Sequence, residues 1–149
     1  MHFILFVFDS GLGKTVPELG LSEFPAIQPI AKTQFSMLTQ DVSDRMATEF
    51  PAVKSVLLCG IEAHVCVQGT CLDLLDRGLD VHIIADAVSS RSQTDRLVAL
   101  DRMREAGAFL TTSESAVLTL IGDSSAPFFR QIQKLIMQPA PDTGLFPTR

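Results

Sequence analysis

Residues 53–85 read VKSVLLCGIEAHVCVQGTCLDLLDRGLDVHIIA, and this stretch decides the fold. Val53 to Cys59 is a short run rich in apolar residues and closed by Gly60, the pattern of a strand. Ala63 to Arg77 places Val65, Leu72 and Leu75 on one side of a helix, with Gly78 as its C-terminal stop. Leu79 to Ala85 returns to a strand pattern. Strand, helix and strand joined by short turns make a βαβ unit, with parallel strands and a right-handed crossover.

Working outward, the same alternation continues on the C-terminal side. Asp86 to Ser90 is expected to be a loop, and Gln93 to Ala106 a helix with Leu97, Leu100 and Met103 at helical spacing. Ala108 to Thr111 is a short strand, and Ser113 to Leu120 and Pro127 to Met137 are helices. On the N-terminal side, Phe3 to Phe8 is continuously apolar, which suits a parallel strand covered on both faces. Gly11 to Pro29 is a long loop, Ala31 to Met37 a short ordered stretch, and Asp41 to Phe50 a helix stopped by Pro51. The expected fold class is α/β: a three-layer sandwich with a mainly parallel, Rossmann-like sheet. Residues 1–138 form the expected domain, and Pro139 to Arg149, with three prolines and a glycine, an extended tail.

Composition excludes several functions. The 149 residues carry a formal charge of −5 and no Lys/Arg run, so no nucleic-acid partner is expected. The apolar run 3–8 is too short to span a bilayer and has no basic segment before it, so neither a membrane span nor a signal peptide is expected. Three cysteines, Cys59, Cys66 and Cys71, read as free thiols. The default location is cytoplasmic, with mitochondrial import left open. His2, His64 and His82 are scattered, so no metal site and no cofactor is expected. His64 reads as a polar helix residue, Asp86 and Arg91 as caps and braces of a loop. Gly11-Leu-Gly-Lys-Thr15 lacks the first glycine at phosphate-loop spacing.

In parallel α/β sheets, ligands sit at the C-terminal ends of the strands. Asp9, residues 60–66 and residues 86–91 all follow expected strands, so they are candidates for one crevice. Cys66 falls in the first turn of the expected helix, where free backbone N–H groups and the helix dipole favour a thiolate or an oxyanion. Spacing alone leaves a second reading open, in which Cys66 is a small buried residue packing the helix on the sheet.

Gly60-Ile-Glu-Ala-His-Val-Cys-Val67 resembles the nucleophile motif of the isochorismatase-like cysteine hydrolases, and Ala31-Lys-Thr-Gln-Phe-Ser-Met37 resembles the family's lysine motif. Val81 to Ala99, with Asp86-Ala-Val-Ser-Ser-Arg91, resembles the strand, loop and helix that follow. The similarity runs from about Gly11 to Gly144, and the branch it resembles is the eukaryotic isochorismatase domain-containing proteins. The resemblance implies an Asp–Lys–Cys triad: Cys66 attacks a carbonyl of a small amide, ester or related substrate, and Lys32 holds the negative charge. It also implies a cis peptide at Ile61–Glu62, which aims the N–H groups of Glu62 and Cys66 into an oxyanion hole, and a substrate pocket that includes Phe35. Asp9 closes the first strand as the family's Asp does and is the candidate triad base; the alternative is that Met1 to Ser10 is unrelated sequence and Asp9 a loop residue. Family members carry a helix and a further strand between that residue and the long loop, and the sequence has no counterpart, so the first βαβ unit is expected to be incomplete. Two functional expectations follow. One is a hydrolase; the alternative is a catalytically weak domain that serves as an interaction or oligomerisation module. Either is expected to form a homo-oligomer.

Overall fold

The computed structural model describes residues 6–7, 16–24, 29–138, 140 and 142–145. In chain order the elements are β1 (Phe6–Val7), β2 (Ile30–Ala31), α1 (Gln40–Glu49), β3 (Ser55–Ile61), α2 (Gln68–Asp76), β4 (Asp80–Ser89), α3 (Gln93–Glu105), β5 (Phe109–Thr111), α4 (Ser113–Ile121) and α5 (Phe129–Ile136). Two short 3-10 turns, Pro17–Leu19 and Leu21–Glu23, lie in the long loop.

Every strand pairing among the described residues is parallel. β4 lies between β3 and β5, and β1 pairs with β2. Helices lie on both sides of the β3–β4–β5 sheet, so the architecture is the three-layer α/β sandwich. On one side Leu58, Val81, Ile83 and Ala85 meet Ala63, Val67, Cys71 and Leu74, and then Ala99, Leu100 and Met103 of α3. Each large side chain fully buried there contributes about 1.5–3 kcal/mol. On the other side Asp86 accepts hydrogen bonds from the backbone N–H and the hydroxyl of Ser113, which anchors the start of α4.

Local chemistry explains the helix ends. Thr39 and Ser92 accept hydrogen bonds from Val42 N and Asp95 N at the starts of α1 and α3. After α2 the chain turns at Gly78 with φ of +75°, a conformation that glycine adopts without strain, and Leu79 N returns to Leu74 O.

Four expectations need correction. Of residues 86–90, 86–89 are strand and not loop, because β4 runs on to Ser89: beyond an irregularity at Leu58/Gly60, Gly60 and Ile61 pair with Val88 and Ser89. The helix expected over 63–77 is two elements, a five-residue π-turn (Ala63–Val67) followed by α2. The buried stripe of α3 is Arg96, Ala99, Leu100 and Met103, while Leu97 is exposed. Cys59 ends the strand expected over 53–59, and a sheet covered on both faces would bury it, but it is exposed. It alternates with the covered residue Leu58 and so points to the sheet face that also carries exposed Leu57 and Ile61.

The last described residues lie against α3. Arg96 donates to the carbonyls of Ala85 and Thr143, Gln93 donates to the Gly144 carbonyl, and Leu145 packs against the core.

Candidate active site

β3 ends in a backbone that is unusual at three successive points. Gly60 has φ of +121°, open to glycine and strained for other residues, and the Ile61–Glu62 peptide is cis. Residues 63–67 then wind as the π-turn, with Val67 N donating to Glu62 O and Gln68 N to Ala63 O. Single π-turns at helix starts recur at functional sites. Cys66 sits in this turn and is 9% exposed.

Lys32 follows β2 and reaches the same point. Its Nζ lies 3.8 Å from Cys66 Sγ and donates to the carbonyls of Gln34 at 2.7 Å and Phe35 at 2.9 Å. The residue is 6% exposed. A buried ammonium is costly unless hydrogen-bonded, and the carbonyls meet that need while leaving its charge directed at the sulfur. At this distance the cation stabilises negative charge on the sulfur or on an adjacent oxyanion.

Thr70, which sequence reasoning missed, joins the two segments. Its buried hydroxyl donates to the Cys66 carbonyl at 2.6 Å and accepts from Met37 N at 2.9 Å. The only sequence signal was a hydroxyl one helical turn beyond a candidate nucleophile. Behind Lys32 an open cleft of ≈ 540 Å³ is lined by Thr33, Gln34, Thr39, Gln40 and Asp41 among others. A larger depression of ≈ 690 Å³ lies along α4, lined by Thr112, Glu114, Ser115 and Leu118, and contains none of the residues singled out in the sequence.

The loops that follow β3 and β4 are tied together. Glu62 accepts from Arg91 N at 2.9 Å, and His64 Nδ1 lies 2.9 Å from Ser90 Oγ and 3.7 Å from the Glu62 carboxylate. Phe35 stands apart: its carbonyl binds Lys32, but its side chain is 65% exposed. Asp9 lies outside the described residues. The two other thiols sit in different surroundings. Burial pushes the Cys71 thiol up to about 11, and partial desolvation also raises Cys59, despite its exposure. Among the described residues no three His, Cys, Asp or Glu side chains cluster as metal ligands, and no helix is long and apolar enough to cross a membrane.

Comparison with known proteins places these features in a family. Residues 5–115 match the isochorismatase domain. The chain is 56% identical over 135 residues to isochorismatase domain-containing protein 2 of Xenopus laevis, covering 91% of this chain and 64% of that protein. The solved structure of the MAR1 ribonuclease from Caenorhabditis elegans superposes with a TM-score of 0.89 at 48% identity, covering 98% of this chain and 74% of that one. A pyrazinamidase/nicotinamidase from Streptococcus mutans shares the fold, with a TM-score of 0.55 at 23% identity over 62% of this chain and 51% of that one. The chain belongs to the isochorismatase family.

Proposed function

We propose that this member of the isochorismatase family is a cysteine-dependent hydrolase of a small amide, ester or related molecule, with Cys66 as nucleophile. One observation carries the reading: Lys32 Nζ and Cys66 Sγ, buried and 34 residues apart in sequence, lie 3.8 Å from each other. The Cys66 thiolate attacks the carbonyl carbon, and Lys32 holds the negative charge as it moves from sulfur to the carbonyl oxygen. The N–H groups of Glu62 and Cys66 serve as the oxyanion hole. The leaving amine or alcohol departs with a proton, and water then hydrolyses the thioester to free acid and thiol. Asp9 is the proton carrier in this proposal, on sequence grounds. Phe35 lines the substrate pocket in this proposal, on sequence grounds.

The substrate in this proposal is small and the partner is not a nucleic acid. The C. elegans neighbour is named a ribonuclease, but a formal charge of −5 opposes a polyphosphate chain. The test is a panel of small amides and esters together with a fluorogenic RNA. Cys66→Ala is expected to reduce hydrolysis of the responding small molecule to background, and Lys32→Ala by about 10²–10³-fold. Hydrolysis that survives in Cys66→Ala, or cleavage of RNA alone, overturns the reading.

A second reading is a catalytically weak module that associates through an apolar face. It is favoured by the exposed sheet face, where Leu57, Ile61 and Phe109 are 43%, 60% and 54% exposed. Both readings include a cytoplasmic homo-oligomer. Sedimentation at micromolar concentration is expected to show a species larger than one chain, and a monodisperse monomer contradicts that.

A further inference from the structure

The side chains of Glu62, His64 and Ser90 are left unused by the chemistry above, yet they meet beside the turn that carries Cys66. β3 and β4 end side by side, with Ile61 paired to Ser89, so the residues after each strand face one another. Across that gap run two side-chain links: Glu62 to Arg91 N at 2.9 Å, and His64 Nδ1 to Ser90 Oγ at 2.9 Å. Glu62 and His64 are each 23% exposed at the side chain, and their 3.7 Å approach joins the two links into one cluster.

The turn needs such ties. It is a single π-turn of five residues with no side-chain cap at its start, and π geometry is rarely self-sustaining. Its backbone bonds converge on few acceptors, with Val65 N and Val67 N both donating to Glu62 O. Thr70 anchors the far side of Cys66 through its carbonyl. Besides the Lys32–Cys66 contact, the described side-chain hydrogen bonds from the turn and its leading residue are those of Glu62 and His64. The Lys32–Cys66 separation of 3.8 Å is at the outer edge of contact. A small displacement of the turn therefore weakens the attraction that favours charge on the sulfur.

We propose that Glu62, His64 and Ser90 are positioning residues that clasp the Cys66 turn to the end of β4 and hold the thiol against Lys32. The proposal rests on Cys66 as nucleophile, and it deepens that reading by naming what fixes the nucleophile in place. Neither Glu62 nor His64 is assigned a proton-transfer step.

The test uses the full chain and needs no substrate. Ser90→Ala and Glu62→Ala are treated with limiting iodoacetamide, and the labelling rates of Cys66 and Cys59 are mapped by mass, with Cys59 as the internal control. Loss of the clasp is expected to slow Cys66 by about tenfold relative to Cys59, the scale of a small misplacement of a reacting group, with the melting temperature little changed. Ser90→Thr restores the hydroxyl and is expected to return the ratio. An unchanged Cys66 to Cys59 ratio in the alanine variants, or a faster Cys66, overturns the proposal. If Glu62→Ala does not fold, Ser90→Ala, which removes one hydroxyl, decides alone. Absence of hydrolysis on every substrate, with a Cys66 rate that still responds to Ser90, rejects the hydrolase reading and supports the clasp. Hydrolysis with an unresponsive Cys66 does the reverse.

Discussion

The two faces of the β3–β4–β5 sheet are built from the same kinds of residue and meet different fates. On one face Leu58, Val81 and Ile83 lie under α2 and α3, packed against Leu74, Leu100 and Met103. On the other, Leu57 stands opposite His82, whose ring stacks on Phe109 with centroids 5.0 Å apart, and the two hydrophobic residues remain exposed. Hydrophobic type does not decide burial; what lies across the face does. The covered face also brings Cys66 inward to Lys32, whereas Cys59, seven residues earlier along the same strand and turn, points outward.

The largest expected effect breaks the comparison at the core. Leu74→Ala removes a side chain with 2% exposure from the covered face, and it should cost about 2–5 kcal/mol by chemical denaturation. Leu57→Ala, on the open face, should change stability by no more than about 0.5 kcal/mol. Comparable losses at the two positions would mean that the open face is covered by something in solution.

The smaller effect concerns the thiols. Access favours Cys59, while charge favours Cys66, and nucleophilicity requires the thiolate. Lys32 Nζ stands 3.8 Å from Cys66 Sγ, and desolvation raises the Cys59 thiol. Limiting iodoacetamide is expected to label Cys66 first, Cys59 next and Cys71 last. The Cys71 thiol keeps its proton until the pH nears about 11, so its rate should climb only as the pH rises towards that value. Because its folded-state value lies above that of an exposed thiol, its contribution to stability is full below the ordinary cysteine range and is lost as pH rises through about 11. Early labelling of Cys71 at neutral pH would mean that the covered face opens.

Much of this was legible beforehand because the signals are local. Gly78 stops α2 as its position suggests, and the strand–helix alternation from Val53 to Thr111 appears with boundaries moved by a few residues. The errors share one cause. Leu97 shares the helical spacing of Leu100 and Met103, but Arg96 occupies the buried stripe because its guanidinium finds carbonyls at Ala85 and Thr143. Residues 86–90 are expected to be a loop, yet Asp86 serves as an acceptor for Ser113 while its backbone stays in the strand, which runs to Ser89. Each outcome depends on a partner distant in sequence, and a linear pattern carries no term for it.

By itself, the sequence determined the class of fold, the order of its helices and strands, and the two motifs that carry Lys32 and Cys66, because periodicity, glycine stops and motif spacing act over a few residues. Only the tertiary structure decided that Thr70 bridges those motifs, that Ser90 and Arg91 meet His64 and Glu62, and that one sheet face is covered while the other leaves Leu57 and Phe109 exposed. Those features require segments far apart in the chain to be brought within hydrogen-bonding or van der Waals distance, and packing of the whole sheet sets that distance.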